Sequence, residues 1–429
     1  MYRTMPLYIN RSNVALYLCE GTALEALRGE YHGLHDMLLR IESAINVTVA
    51  TVRSRAFDRL EYAHGSPIAR TTAKQWPWQY ADDVLPSSPY IQNDLCKPPA
   101  GPKTMPELRM WQEDYKNATI YNGSEWRHSL ALYSSSNVSV LGPMLLTRSG
   151  GDGIYVDGAS NSTLAGLWAD WNFRNAMSVI SARNLTVDSC VFSNTTGTAP
   201  RAGIDFEPNG ASDALHGIRL SNCLAGSNGG SGFGISISAL TNSSLPVDVS
   251  FRRSVSRDSY VGGGLTSYTF KDAYDGPAGV LAFTDGAIVH SKNPGVSVST
   301  PASRIRVLLE NTTITGTAFA HQYWSPMEVV QSRAGAGRMW ASGGLHLRNV
   351  TVEDPQAVHR AATDPTRPYL HVCDECVGVE ILGTNVIAEP CSEDQDTQAR
   401  LTPNCTAAVD GPGSRSARGL NLSPVCRCL

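Results

Sequence analysis

Asp205 and Glu207 stand two residues apart in "RAGIDFEPNG" (201–210), separated by Phe206 and followed at once by a Pro-Asn-Gly turn. On a β-strand, Ile204 and Phe206 point to one face and the two acids to the other. The carboxyl groups would then lie roughly 6.5–7 Å apart. Two carboxyls flanking a glycosidic bond are the minimum machinery of its hydrolysis: one protonates the leaving oxygen, and the other activates water or attacks the anomeric carbon. A separation of about 6.5–9.5 Å corresponds to inversion.

Acids so placed need a scaffold that repeats. Three segments align without gaps: "RHSLALYSSSNVSV" (127–140), "GDGIYVDGASNSTL" (151–164) and "RNAMSVISARNLTV" (174–187). In each, apolar residues alternate with small or polar ones, and an Asn follows the first apolar residue by seven positions: Asn137, Asn161 and Asn184. "GIDFEP" (203–208), "GISISA" (234–239), "GLTSYT" (264–269) and "GVSVST" (295–300) occupy the same slot. A second series runs through "LTVDSCVF" (185–192) and "IRLSNCLA" (218–225), placing Cys190 and Cys223 at equivalent sites as stacked thiols. Short strands at this period, with Gly- or Asn-marked corners, describe an all-β chain, a single-stranded right-handed parallel β-helix. A propeller needs longer units, and the leucine-rich frame is absent.

Stacked coils turn equivalent residues into columns. Leu130, Ile154, Met177 and Ile204, with Leu132, Val156, Val179 and Phe206, face the core. Ala131, Tyr155, Ser178, Asp205, Ser236 and Thr266 face outward, beside Tyr133, Asp157, Ile180, Glu207, Ser238 and Tyr268. His128, Asp152 and Asn175 precede the strand by one slot, and Arg127, Gly151, Arg174 and Arg201 by two. Asp205 and Glu207 are therefore the expected acid/base pair, with Asp157 as a third carboxylate. Arg127, His128, Asp152, Arg174, Asn175 and Arg201 would bind or neutralise substrate, and Tyr155 and Tyr268 would stack on sugar rings.

The arginines also suit an anionic-polysaccharide lyase or epimerase, in which Asp157, Asp205 and Glu207 would hold Ca²⁺. Hydrolysis requires no cofactor and no metal. The competing view is structural: outward acids pair with neighbouring arginines, Asp205 with Arg174 for instance, on a non-catalytic glycan-binding or cell-wall protein.

The quoted coils, above all "RNAMSVISARNLTVDSCVFSNTTGTAPRAGIDFEPN" (174–209) and "LHGIRLSNC" (215–223), resemble an uncharacterised branch of the pectin-lyase-like superfamily. The resemblance covers roughly residues 105–270. It implies the β-helix fold and polysaccharide chemistry, but no reaction type. The Asn-Thr-Asp, Gly-His-Gly and Arg-Ile-Lys motifs of polygalacturonases are missing, no adjacent Asp pair sits in a coil strand, and His216 and Arg219 in "LHGIRL" lack their frame.

The rest of the chain frames this region. Of 429 residues, 17% are charged, 38 are Gly, and the net charge is −4, too mild for a nucleic-acid or membrane partner. No stretch has transmembrane length, and no signal peptide is visible at the start. Residues 1–110 read as an N-terminal cap and first coils, with a short capping helix in "ALEALRGEYHGLHDMLLRIE" (23–42). Residues 111–354 read as the helix with its sugar groove, and 355–429 as a Cys-rich C-terminal cap. Six of ten cysteines crowd that tail, which fits a disulfide framework in an oxidising compartment, with "CDEC" (373–376) as a zinc alternative. Thirteen of 22 asparagines lie in N-x-S/T triplets, among them Asn46, Asn117, Asn122, Asn184, Asn194 and Asn311. They are glycan acceptors of a secreted protein or strand-entry turns that match by accident. The expectation is a secreted, monomeric glycoprotein whose partner is a polysaccharide.

Overall fold

The computed structural model describes residues 2–19, 22–27, 30–31, 36–52, 127–195, 197–260, 262–268, 276–299, 304–318, 325–329, 341–353, 370–372, 377–382, 384–389 and 405–410. These residues are strands and turns, with no α-helix among them. The fold is a right-handed parallel β-helix. The chain divides into two compact units, residues 1–205 with 214–229, and residues 206–213 with 230–429.

In the first unit, Leu39–Glu42, Leu130–Tyr133, Ile154–Asp170 and Met177–Asp188 pair in parallel, with Leu39 opposite Leu130, Leu130 opposite Ile154 and Ile154 opposite Met177. The last two steps are the 24- and 23-residue periods read from the sequence. Leu130, Leu132, Ile154, Val156, Met177, Val179 and Ile204 are all buried, as alternation requires. Each such side chain contributes about 1.5–3 kcal/mol.

The corner asparagines explain why the strands turn where they do. Asn13, Asn46, Asn137, Asn161 and Asn184 all adopt left-handed backbone, φ 49–60°, a region Asn tolerates better than most side chains. They stack into a ladder: Asn46 Nδ2 donates to Asn13 Oδ1 at 2.9 Å, Asn137 to Asn46 at 3.2 Å, and Asn184 to Asn161 at 3.0 Å. The column ends at Gly217, φ +69°, where a Cβ would come within 2.5 Å of Asn184 Oδ1. Cys190 and Cys223 are buried free thiols in neighbouring coils, as the repeat implied.

Two departures from the sequence reading bear on function. The segment read as a capping helix contains instead the strand Leu24–Ala26, paired with Tyr2–Thr4, and the coil strand Leu39–Glu42. Between them Met37 is buried against Ala131, Tyr155 and Ile180, so the outward face of the first sheet is covered there. A bulge sets Ser181, not Ile180, opposite Asp157.

In the second unit, Phe233–Ser236, Leu265–Tyr268, Val296–Ser299, Met327–Val329 and Leu370–Val372 stack in parallel. Here Phe233, not Ile235, lies opposite Leu265, so Ser236 pairs with Tyr268 and Gly234 with Thr266. A shift of two residues preserves which face each side chain takes but changes its neighbours. Phe206, Phe233, Phe251 and Phe283 fill the interior, with ring centroids 4.7–6.0 Å apart. Asp285, Asn311 and Asn349 form a second ladder at 3.0 and 3.2 Å. Parallel pairing continues through Thr384–Glu389, which then meets Cys405–Asp410 antiparallel. The side chains of the tail cysteines, "CDEC" and the sequons Asn117 and Asn122 lie outside the described residues.

Candidate functional site

Backbone bonds carry the stacking of the first unit back into the loops before each strand. Gly151 N–H donates to Arg127 O at 2.9 Å, Arg174 N–H to Gly151 O at 3.0 Å, and Gly153 N–H to Asn175 O at 2.9 Å. Ala176 N–H reaches Ala202 O and Met177 N–H reaches Gly203 O, each at 3.0 Å, which sets Asp205 beside Ser178. Gly153 allows this approach, since a Cβ there would lie 2.5 Å from the Asn172 amide nitrogen and 2.7 Å from Ala176 O.

On these loops the polar side chains converge. Asp152 Oδ1 accepts the Asn175 N–H at 2.9 Å, and its Oδ2 lies 3.4 Å from Arg174 Nη1. The side chain of Asn175 continues the chain of contacts. Its Nδ2 donates to Ser178 Oγ at 3.0 Å and to Asp205 Oδ2 at 3.3 Å, while its Oδ1 accepts the Ala202 N–H at 2.8 Å. One asparagine thus links two carboxyl groups from coils two apart, with backbones separated by about 9.6 Å.

Both acids are enclosed: Asp152 is 0% and Asp205 1% exposed. Burial pushes the Asp152 carboxyl up to about 6, against the opposing pull of the Arg174 charge and of the hydrogen bonds from Asn175, Ser178 and Arg174. Charging a carboxylate away from water costs more than these partners return.

A second chain of contacts flanks the first. His128 is buried, and its Nδ1 accepts the Asp152 backbone N–H at 3.0 Å, which places the ring proton on Nε2. The imidazole stacks on Tyr155 with centroids 4.3 Å apart and planes 9° from parallel. Tyr155 tilts against Tyr133 at 5.4 Å, and the Arg40 guanidinium lies 4.6 Å from the Tyr133 ring centre. Burial raises both phenols above their ordinary range, outweighing Arg40 at Tyr133.

The expected site residues divide accordingly. His128, Asp152, Arg174, Asn175 and Asp205 come together, joined by Ser178, in one hydrogen-bonded cluster. Tyr155 needs correcting as a sugar platform. At 3% exposure, stacked on His128 and packed by Met37, it is part of the support. Arg174 forms an ion pair with Asp152. Arg127 is buried, and Arg201 is half-buried in left-handed backbone with its carbonyl accepting the Thr195 hydroxyl. Asp157 is half-buried opposite Tyr133. Glu207 follows the end of Ile204–Phe206 and belongs to the second unit, half-buried. Tyr268 ends the strand Leu265–Tyr268, and its side chain lies outside the described residues.

Sequence reasoning assigned Ser178 a column but no role, and missed Arg40 and Met37, which fell within the stretch read as helix. Among the described residues no group of three or more His, Cys, Asp or Glu side chains is placed to hold a metal ion. No described helix is long and apolar enough to cross a membrane.

No family model and no curated protein matches the sequence. Similar solved structures include the Dettilon tailspike protein, at 9% identity and a TM-score of 0.40, covering 87% of this chain and 60% of that one. A hyperthermoactive exopolygalacturonase from Thermotoga maritima is 11% identical at TM-score 0.37, covering 95% and 84%. A family 28 exopolygalacturonase from Yersinia enterocolitica is 12% identical at TM-score 0.37, covering 89% and 68%. This chain thus spans less than two thirds of the tailspike's length, and at such identities the likeness concerns fold alone.

Proposed function

We propose that this chain acts on a polysaccharide as a glycoside hydrolase, with Asp152 and Asp205 as its carboxyl couple. The observation that carries this reading is Asp152 itself. Its carboxyl, pushed up to about 6 by burial, is joined through Asn175 to a second carboxyl. Hydrolysis needs one acid that keeps its proton near neutral pH and a second carboxyl that works ionised. Asp152 donates to the glycosidic oxygen, and Arg174 then steadies the carboxylate left behind. Asp205, oriented by the Asn175 amide, activates water or attacks the anomeric carbon. His128 fixes the Asp152 backbone. This couple replaces Asp205 with Glu207 because the strand ends at Phe206, while Asp152 shares Asn175 with Asp205.

One observation favours a second reading. Both carboxyls are enclosed, so the same network would serve as a rigid platform in a non-catalytic glycan-binding protein. Secretion, a monomeric state and a disulfide-tied tail belong to either reading as proposals.

The test incubates the purified chain with neutral and acidic polysaccharides, with and without calcium, and follows reducing ends and unsaturated products together. New reducing ends, falling away as pH rises through about 6 and lost in Asp152→Asn and Asp205→Asn, support the hydrolase. Unsaturated, calcium-dependent products would move the chemistry to a lyase centred on Arg174. Glycan binding that survives both substitutions, without turnover in wild type, would establish the second reading.

A further inference from the structure

The N-x-S/T triplets are absorbed neither by the fold as a group nor by the proposed reaction, and the structure sorts them into two chemical classes. In the first class the asparagine is a building part of a corner. Asn46, Asn137, Asn161 and Asn184 occupy one ladder and Asn311 and Asn349 the other, all with left-handed backbone. Each neighbour in such a ladder is one coil away, about 4.8 Å. A hexosamine ring attached to a ladder Nδ2 replaces one of its two hydrogens and is wider than that gap, so it crowds the stacked neighbours. Asn194 is equally committed: it is buried, and its Nδ2 donates to Asp170 Oδ1 at 2.8 Å.

Asn10 and Asn242 form the second class. Both are exposed, as the ladder asparagines also are, but neither has the left-handed backbone of the ladder members. Asn10 precedes an exposed Arg11-Ser12 pair, with the Ser12 hydroxyl oxygen held by the Ile45 N–H at 3.0 Å. Asn242 sits in a surface turn closed by Thr241 N–H to Ser244 Oγ at 3.0 Å, and the Ser244 hydroxyl donates to Ala211 O at 2.7 Å. The hydroxyl two residues on, required of an acceptor triplet, is therefore fixed in place at both sites.

We infer that Asn10 and Asn242 are the N-glycan acceptors among the described residues, and that the ladder asparagines and Asn194 carry no glycan in the folded protein. The donor class is a lipid-pyrophosphate-linked oligosaccharide. Asn Nδ2 forms the bond to sugar C1, the bond from C1 to the pyrophosphate oxygen breaks, the pyrophosphate leaves with the bonding pair, and Nδ2 gives up one proton. A chain glycosylated at a ladder position before folding could not close that coil.

The full chain is secreted from a glycosylating eukaryotic host, and its folded, monodisperse fraction is digested and deglycosylated enzymatically in ¹⁸O-water, which marks each formerly glycosylated Asn as ¹⁸O-Asp. The expected map carries the mark at Asn10 and Asn242 and at no ladder asparagine. Asn10→Gln and Asn242→Gln each remove one glycan by intact mass. Thr186→Ala, which destroys the Asn184 triplet while leaving the ladder side chain, removes none. A mark on Asn46, Asn137, Asn161, Asn184, Asn194, Asn311 or Asn349 in the folded fraction, or an unmarked Asn10 or Asn242, overturns the inference.

Discussion

Replacing Asp152 by Asn tests the enclosed site without requiring any substrate. Asn keeps the shape of the side chain and an oxygen to accept the Asn175 N–H, but it cannot ionise. In the folded chain burial raises the Asp152 carboxyl from 3.8 to about 6. A group raised in this way keeps its proton in the native state over a range where the unfolded chain has already lost it. Its stabilising contribution is complete below about 3.8 and disappears as pH rises through about 6. At about 1.36 kcal/mol per pH unit, the whole effect is about 3 kcal/mol. Urea unfolding of wild type and Asp152→Asn, in parallel at pH 4, 5, 6 and 7, isolates this contribution as the change in their difference with pH. Arg174 loses its charged partner in the variant, which shifts the variant by an offset; the slope against pH is the quantity read. Wild type should lose up to about 3 kcal/mol relative to the variant between the ends of the series. A flat difference would mean that Asp152 titrates as an ordinary, solvated carboxyl. A slope of opposite sign would mean that Arg174 outweighs burial, which would remove the protonated acid from the proposed mechanism.

Two further perturbations test the scaffold. Asn161→Ala places an ordinary side chain at φ 49° and removes the acceptor of the Asn184 amide, for a loss of about 1–2 kcal/mol in urea unfolding. Asn161→Gly should lose less, and equal losses would show that backbone conformation is not what the corner selects. Phe251→Ala opens the aromatic interior of the second unit between Phe206, Phe233 and Phe283, for about 3–5 kcal/mol, whereas Phe251→Leu should cost under about 1.5 kcal/mol. Equal melting of the two variants would contradict a packed stack.

What the sequence determined by itself was local and periodic. Strand alternation sends Leu130, Ile154 and Met177 inward. The left-handed tolerance of Asn marks the corners at Asn137, Asn161 and Asn184, and the 24- and 23-residue spacing stacks the loops carrying His128, Asp152 and Asn175. Each follows from the geometry of a few consecutive residues repeated along the chain. The tertiary structure decided what covers those residues and which partner each one takes. Met37, far from Tyr155 in sequence, closes the outward face of the first sheet and turns an expected sugar platform into a support. Arg174 reaches back one coil to pair with Asp152. The Asp152 proton affinity is likewise set by enclosure, and Asn10 is distinguished from Asn46 by the side-chain ladder that Asn46 joins. Alternation says which way a side chain points; solvent access and charge state depend on what the distant chain brings against it.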